Sequence, residues 1–442
     1  MIRYPALPLL ADFLNTLLIK AAYRSLQIDS AIEGIVFNTG TLLHSCTIHL
    51  RDVNKFESSL EGLLEESMRR YQEMKTLPVT AGPSGDTNQF GMIASRSGIQ
   101  LSGKEGSYEQ LATLYEGLLS KRKRVLDILS AQWDISAKEK ILLKQKNLEE
   151  EKGYPPPSIL KSVSLYEGGR FFGLRDEGSG SINKGTLKVR FDSDFWLLSL
   201  ISPGVSLVKV INLDSRDRAF VFVNFEPIYG LKYGPGDLEF YGQFSEEVER
   251  FVSKTGLFME EEELFRLSML LHLYSKISSP MLGRTKFCVK LRAVRPVGRR
   301  FNELFTSFIH PDEISALSEA LGSIAVEDAR SIAESCSRLG AFIIQLTRGS
   351  PAIARELNLD GLIPKLKILL TSLAYPGYSV PTESLYDLVR VLKVDEWRSR
   401  FIGLLARRIQ EEEGTGETEA REKARRYLDK LIRIVENVIA GL

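Results

Sequence analysis

The spacing of apolar residues changes along the chain near residue 245. Before this point helical and strand-like patterns alternate, whereas almost every later segment has the period of an amphipathic helix. Predicted C-terminal helices lie at residues 245–254, 260–277, 311–321, 326–347, 360–373, 382–393, 395–413 and 417–440. Because no strand accompanies them, we expect their apolar faces to pack on one another in an all-α bundle.

The first 244 residues mix the two periods. Predicted helices lie at residues 7–27, 53–75, 107–132 and 136–152. Residues 34–50 predict one or two strands, and the strands predicted at 187–191, 205–213 and 219–225 belong to an antiparallel meander of four or five strands over 170–241. Residues 78–106 are interpreted as a mobile loop or hairpin with a possible short strand at 91–101. We therefore expect an α+β fold, with a mixed α/β N-terminal part that includes the β-meander, followed by the helical bundle.

Proline and glycine mark the first boundary, because Gly153 and a triple proline at 155–157 end the preceding helical pattern. The predicted domains are an N-terminal mixed α/β region at residues 1–153, a β-rich region packed on it at 154–244, and the bundle at 245–442.

Composition places the chain among globular proteins, with 43% hydrophobic and 26% charged residues in a length of 442. Lys and Arg total 58 against 57 Asp and Glu, so the formal net charge is +1. This balance excludes a protein coated with positive charge, but it leaves room for a local basic surface.

Cysteine and hydropathy patterns favour a cytoplasmic location. Cys46, Cys288 and Cys336 lie too far apart for a disulfide framework or a paired metal motif. Asp12 and Lys20 interrupt the apolar N-terminal run, and no other stretch approaches 18 uncharged residues. We expect no membrane span.

One short segment combines three metal-capable side chains, His44, Cys46 and His49. On a strand, His44 and Cys46 point to one face and His49 to the other, so the three cannot meet one ion without a bulge. A structural role is therefore favoured over zinc binding.

Phosphate and metal motifs give no stronger signal. The glycine-rich segment GSGSINKGT lacks the order of a phosphate-binding loop, and YGPGDLE lacks its lysine, so both are interpreted as turns. Acidic side chains that could gather around a metal are instead typical turn formers: Asp192, Asp194, Asp214 and Asp217. We predict no cofactor, no metal and no catalytic set.

Local charge provides the main functional signal. Residues 284–301 contain seven basic residues and no acidic one: Arg284, Lys286, Lys290, Arg292, Arg295, Arg299 and Arg300. We interpret this basic stretch as a partly extended connector between helices, whose positive field would attract a polyphosphate such as a nucleic acid. Pairing with acidic clusters elsewhere, such as residues 260–263 or 411–413, is an equally favoured alternative.

A second basic cluster consists of Lys121, Arg122, Lys123 and Arg124 on a predicted helix. Four consecutive residues span a full turn, so two or three at most can face one ligand, and a solvated face is favoured. The basic residues at 421–433 alternate with acidic ones and predict ion pairs within a surface helix.

The order of these parts resembles a known family. A β-rich insertion, the basic segment KFCVKLRAVRPVGRRFNELF and a bundle ending in LARRIQEEEGTGETEAREKARRYLDKLIRIVENVIAGL resemble the large subunit of an archaeal type I-A CRISPR interference complex, the Cascade effector. The resemblance lies in layout and size over most of the chain, so no motif-reading residue is carried over.

The resemblance implies a non-enzymatic role in RNA-guided antiviral defence. The chain would contact the protospacer-adjacent motif on target DNA, help to open the duplex beside the guide RNA, and dock other Cascade protein subunits, while cleavage occurs elsewhere. Two alternatives stay open, an enzyme with a dispersed site acting on a phosphorylated substrate and a scaffold that binds only proteins.

Overall fold

The computed structural model describes residues 1–28, 31–79, 85–102, 106–120, 124–136, 142–146, 153–160, 188–212, 218–255, 262–277, 286–297, 300–320, 326–374 and 381–441. The fold is α+β, as predicted, with antiparallel sheets in the N-terminal and middle parts and helices dominating the C-terminal part. Two compact units form, Met1–Gly242 with Lys286–Ile309, and Gln243–Thr285 with His310–Leu442. The division at residue 153 stays a prediction.

The strands that the structure describes all lie in the first unit. They are β1 (Ile2–Pro5), β2 (Ile32–Asn38), β3 (Leu43–Leu50), β4 (Trp133–Ser136), β5 (Leu142–Gln145), β6 (Lys188–Arg190), β7 (Leu207–Asn212), β8 (Arg218–Pro227), β9 (Lys232–Tyr233), β10 (Phe287–Val297) and β11 (Arg300–Ile309). They form three sheets, with strand orders β1-β3-β2-β9, β11-β10-β8-β7 and β4-β5-β6. The first two sheets are antiparallel throughout, whereas β5 and β6 pair in parallel.

Helices of the first unit pack against these sheets. They are α1 (Pro8–Gln27), α2 (Val53–Glu73), α3 (Asp86–Ser97), α4 (Ser107–Ser120), α5 (Val125–Leu129), α6 (Ser193–Ile201) and α7 (Pro203–Ser206). The next helix, α8 (Pro235–Thr255), has residues in both units.

Helix α1 is the buried centre of the first unit. Its apolar residues extend around the whole helix and contact α2, β2 and β8, as expected of a helix that is covered on every side. Even its polar residues Asp12, Asn15 and Thr16 are at most 5% exposed. Thr16 Oγ1 accepts a hydrogen bond of 2.9 Å from the Phe225 backbone N–H, which ties α1 to β8. The buried carboxylate of Asp12 must therefore find its partner inside the protein.

Several predicted elements of the N-terminal part were wrong. Residues 78–106 were interpreted as a loop or hairpin with a possible strand at 91–101, but α3 (Asp86–Ser97) lies there and is capped by Gly98, which has the left-handed φ of 65° typical of a helix C-cap. The helix predicted at 107–132 is divided into α4 and α5, and the helix predicted at 136–152 contains strand β5.

The predicted meander also differs in detail. Residues between β6 and β7 form helices α6 and α7, because the run from Phe195 to Ile201 is apolar without alternation and is buried on all sides. The segment YGPGDLE is the start of α8 instead of a hairpin turn, so this helix begins ten residues before the predicted position.

The basic stretch is not a connector between helices. Its described residues form β10 and the start of β11, which pair with each other and extend the sheet begun by β7 and β8. The expectation that strands are absent after residue 245 was therefore wrong, and the alternation of KFCVKLRAV between apolar and basic residues was the strand signal.

Helices of the second unit agree closely with the predicted ones. They are α9 (Glu262–Lys276), α10 (Pro311–Ala320), α11 (Val326–Gly349), α12 (Pro351–Glu356), α13 (Leu359–Ala374), α14 (Thr382–Leu392), α15 (Asp395–Glu413) and α16 (Glu417–Gly441). Helix α11 packs against α9 and α16, and α16 also packs against α14 and α15. Among the helices that the structure describes in either unit, none is long and apolar enough to cross a membrane.

Candidate functional site

Strand β10 carries the basic stretch through the middle of its sheet. Lys290 lies opposite Asn224 of β8 and Phe308 of β11, and Arg292 lies opposite Phe222 and Thr306. Because side chains alternate along a strand, Lys290 and Arg292 share one face of β10, and that is the face on which α1 packs. The register therefore directs two cations of the basic stretch into the protein.

Asp12 of α1 holds both cations. Its Oδ2 lies 3.2 Å from Lys290 Nζ and 3.1 Å from Arg292 NH1. Asp12 is 5% exposed and Arg292 is 3% exposed, so the contact is shielded from water. A buried charge of either sign is costly without a partner, which makes the three groups depend on one another.

Two further carboxylates complete this ion cluster, which comprises Asp12, Glu226, Lys290, Arg292 and Glu303. Glu226 Oε2 lies 3.5 Å from Lys290 Nζ, and Glu303 Oε2 lies 3.0 Å from Arg292 Nε. Each cation is therefore flanked by two carboxylates, with Asp12 shared between them.

Lys286, at the root of the hairpin, is also paired within the protein. Its Nζ lies 3.0 Å from Asp237 Oδ2, in the first turn of α8, and donates to the backbone carbonyl of Lys232 at 3.3 Å. The alternative that the basic stretch pairs with acidic residues of the protein is therefore confirmed for Lys286, Lys290 and Arg292. Their partners, however, do not belong to the acidic clusters that were predicted. Within the predicted cluster at 411–413, Glu413 is bound by Arg338 and Lys423.

A set of aromatic and amide side chains borders the ion cluster. Tyr4 donates a hydrogen bond to Asn15 Oδ1, and Tyr229 is also hydrogen-bonded to Asn15. The His44 ring stacks on Tyr229, with ring centroids 5.4 Å apart, and meets Tyr4 edge-on at 6.0 Å. Strands β1 and β3, helix α1 and the end of β8 thus meet beside the cluster.

Burial changes the ionisation of these groups. Desolvation raises the pKa of Glu226 to about 7, and repulsion from Asp12 adds to the increase, while Lys290 opposes it. Burial lowers the pKa of His44, so the imidazole is neutral at pH 7. Its Nδ1 accepts a hydrogen bond of 3.3 Å from the Gly40 backbone N–H, which places the proton on Nε2.

The charge balance of the cluster limits what it can bind. Two cations face two carboxylates and Glu226, whose pKa of about 7 leaves it partly protonated at neutral pH. The summed charge lies between zero and minus one, so the cluster itself does not attract a phosphate. It can exchange a proton, and it can form hydrogen bonds with a polar ligand.

The far end of the hairpin has a different environment. The pairing of β10 with β8 ends at Val294 and Phe220, but β10 and β11 continue for three more pairs, the last joining Val297 and Arg300. Residues 295–297 thus pair with residues 300–302 as a two-stranded ribbon, which we call the hairpin tip. Its basic residues are Arg295 and Arg300, with Arg299 between them in sequence, and exposed Arg218 starts β8 at the same end of the sheet.

The remaining residues of the two predicted basic sets are less informative. Arg284 and Arg299 of the basic stretch, and Lys121, Arg122 and Lys123 of the second cluster, lie outside the described residues. Arg124 is exposed and has extended backbone before α5, with NH2 3.4 Å from Asn54 Oδ1. The prediction that Arg124 lies within a continuous helix was therefore wrong.

The segment with His44, Cys46 and His49 is strand β3, and the structure supports the structural interpretation. Cys46 is buried, His49 is exposed, and His44 contacts aromatic rings. Within the described ranges, no group of three or more His, Cys, Asp or Glu side chains is placed to hold a metal ion.

The other candidate motifs have structural roles or are not described. Asp192 is the N-cap of α6 and accepts a hydrogen bond of 2.7 Å from the Phe195 backbone N–H, and Asp194 is buried in the first turn of the same helix. Asp214, Asp217 and the segment GSGSINKGT lie outside the described residues. The predicted ion pairs of the C-terminal helix are present, for example between Arg421 and Glu417.

Sequence reasoning missed the acidic half of the cluster. Asp12 was noted only as a break in an apolar run, although a carboxylate inside a helix that is apolar on all sides is a signal for a buried partner. Glu226 and Phe308 gave no comparable signal, because only the register of β8, β10 and β11 brings them beside Lys290.

Comparison with known proteins does not extend this description, since no protein-family model matches the sequence and no curated protein sequence matches it.

Proposed function

We propose that the chain is a non-catalytic, nucleic-acid-binding subunit of a cytoplasmic CRISPR interference ribonucleoprotein. In this role it contacts target DNA beside the guide RNA and docks other Cascade protein subunits. The proposal starts from the resemblance in layout. The observation that carries it is the hairpin tip, a two-stranded ribbon with Arg295 in β10 and Arg300 in β11; a third arginine, Arg299, lies between them in the sequence.

A β-ribbon of this kind suits duplex DNA, because the major groove admits two antiparallel strands. Arginine side chains bind phosphates in a bidentate manner and also bind guanine edges. With three arginines within six residues, plus Arg218 at the same end of the sheet, the tip combines the shape and charge that groove binding needs.

The proposed nucleic-acid interface contains fewer basic residues than the sequence indicated. Lys286, Lys290 and Arg292 have carboxylate partners within the protein, so a nucleic acid would have to break these ion pairs in order to use them. We therefore assign contact with nucleic acid to the tip and a structural role to the root of the hairpin.

A charge-matched pair of variants tests this assignment. Arg295, Arg299 and Arg300 are changed together to alanine, and the control changes Arg407, Arg421 and Arg425 on α15 and α16, which removes the same formal charge. Binding of the full chain to a DNA duplex, and to the same duplex paired with guide RNA, is measured over a series of salt concentrations. Each lost phosphate contact lowers the log-log salt slope by about 0.9.

We expect the tip variant to bind more weakly, with a log-log salt slope that is smaller by the contribution of two to three phosphate contacts. The control should keep the slope of the parent chain. Equal slopes for the parent and the tip variant would remove the tip from the interface. An absence of any DNA binding by the parent chain, alone and with its partner subunits, would overturn the proposed function.

The alternative of an enzyme acting on a phosphorylated substrate receives less support. His44, Tyr229 and Asp12 are grouped, as acid–base groups in active sites are, but both cations beside them are neutralised by carboxylates. A phosphate group would thus have no positive partner within the ion cluster.

A further inference from the structure

Asn224 lies next to the ion cluster, on the face of the sheet that α1 covers. It is the residue of β8 directly opposite Lys290 of β10, and the side chains of such cross-strand partners are neighbours. The next residue, Phe225, donates its backbone N–H to Thr16 Oγ1, and this hydroxyl donates to the Asp12 backbone carbonyl at 2.7 Å. The turn of α1 that starts at Asp12 therefore lies against the part of β8 that carries Asn224.

Several buried polar atoms in this region have no hydrogen-bond partner within the described part of the chain. They are Oδ1 and Nδ2 of Asn224, Oδ2 of Asp12, and Nε and NH1 of Arg292. The Asp12 and Arg292 atoms lie within ion-pair distance of opposite charges but not in hydrogen-bonding geometry. Because all three side chains are at most 5% exposed, bulk solvent cannot supply the missing hydrogen bonds.

The chemistry of these atoms defines what can satisfy them. A buried amide without hydrogen bonds is rare, because each unsatisfied polar atom costs free energy. The Asn224 amide offers both donors and an acceptor, Asp12 offers an acceptor, and Arg292 offers donors. A ligand that serves these groups must therefore donate and accept hydrogen bonds, and it must be small enough for the interior of the protein. Buried water meets such needs in proteins, at roughly one molecule per 27 residues with about three hydrogen bonds each.

The surrounding charges favour a neutral ligand over an ion. An anion would be attracted by Lys290 and Arg292, but three carboxylates already flank these cations: Asp12, Glu226 and Glu303. A cation would lie beside the ammonium and guanidinium groups and would be repelled by them. The balance of charge thus leaves water as the ligand that fits.

We propose that an ordered water molecule is buried between Asn224 and the ion cluster, where it bridges the amide to Asp12 Oδ2. The water gives the buried carboxylate a hydrogen bond in addition to its ion pairs with Lys290 and Arg292, which lowers the cost of keeping this charge away from bulk solvent. It also connects α1 to β8 through a side chain that otherwise has no polar contact within the described residues. The inference is independent of the proposed function.

The water is tested first by a crystal structure of the full parent chain, together with a second crystal soaked in sodium bromide. We expect a density peak at hydrogen-bonding distance, roughly 2.7–3.2 Å, from both the Asn224 amide and Asp12 Oδ2, with no anomalous signal from bromide. A bromide peak at this position would identify an anion site instead. A direct hydrogen bond between Asn224 and a protein group, or an amide with no neighbouring density, would equally overturn the proposal.

The substitution Asn224→Leu provides a second test, because it removes the amide and keeps a side chain of similar size. If the amide binds the water, the substitution takes a hydrogen bond from the bridge to Asp12, and we expect the melting temperature to fall by roughly 2–10 °C. If the amide has no partner, removing it should leave the melting temperature unchanged or raise it.

The control Ser268→Ala removes a buried hydroxyl that has no hydrogen-bond partner among the described residues, so it should not lower the melting temperature. The proposal fails if Asn224→Leu lowers the melting temperature no more than Ser268→Ala does. Should Asn224→Leu not fold, the crystal structure of the parent chain still decides whether the water is present.

Discussion

The root of the β10–β11 hairpin, which contains Lys286, Lys290 and Arg292, and its tip carry the same types of basic residue but differ in strand pairing. At the root, Lys290 and Arg292 are buried and face Asp12 on the central helix. At the tip, which holds Arg295 and Arg300, β10 and β11 continue for three residue pairs beyond the last described pair of β10 with β8. A basic stretch that is continuous in sequence is thus divided by register into a root whose cations pair with carboxylates inside the protein and a tip that we propose as the contact with nucleic acid.

The largest effect in this comparison is expected from Asp12→Ala. Removing this carboxylate leaves Lys290 and Arg292 with fewer partners in a site shielded from water, so we expect a loss of about 3–5 kcal/mol in the free energy of unfolding. Chemical denaturation of the full chain measures it. As a control, Asp387→Ala removes a carboxylate 3.2 Å from Lys365 in an exposed pair and should cost about 1 kcal/mol or less.

The double variant Asp12→Ala with Arg292→Ala separates pairing from packing. If the charges depend on one another, the double variant loses less stability than the sum of the single variants, since it removes an unpaired cation together with its carboxylate. Strict additivity would show that the two residues act independently, and the root would then have no special coupling to α1.

A smaller, pH-dependent effect is expected at Glu226. Its pKa is about 7 in the folded protein, compared with an ordinary value of 4.5. Between these values the folded state binds more protons than the unfolded state, so its contribution to stability is largest at low pH and falls as pH rises through 7. Glu226→Gln removes this titration, and we expect it to raise the melting temperature by roughly 2–5 °C at pH 8.

The comparison at pH 5 provides the control for Glu226→Gln, because the parent carboxyl is then largely protonated and resembles the amide. The difference in melting temperature between parent and variant should therefore shrink as pH falls from 8 to 5. A difference that is constant over this range would show that packing, and not charge, determines the effect of the substitution.

Sequence reasoning succeeded where local periodicity decides the structure. The observed helices of the second unit match the predicted ones because each has an apolar stripe at helical spacing. One example is α15 (Asp395–Glu413), which was predicted at 395–413. In the first unit, α6 was missed because it is buried on all sides and has no stripe. A buried helix and a buried strand have the same apolar run, and only tertiary packing distinguishes them.

Only the basic residues of the candidate site could be predicted from the sequence. Seven basic residues without an acidic one can be seen in the sequence, whereas the partners Asp12 and Glu226 lie far away along the chain. Their approach depends on the register of β8 against β10 and on the position of α1, neither of which has a local sequence signal. The sequence therefore indicated positive charge but not its neutralisation at the root.

The smallest effect on stability is expected at the tip. Arg300 is the first residue of β11 and Arg299 precedes it in the sequence; for the change of both to alanine we expect the free energy of unfolding to change by about 0.5 kcal/mol or less. The same denaturation experiment used for Asp12→Ala provides the measurement. A loss as large as that of Asp12→Ala would mean that the tip, like the root, is held by contacts within the protein, and the distinction between the two ends of the hairpin would no longer hold.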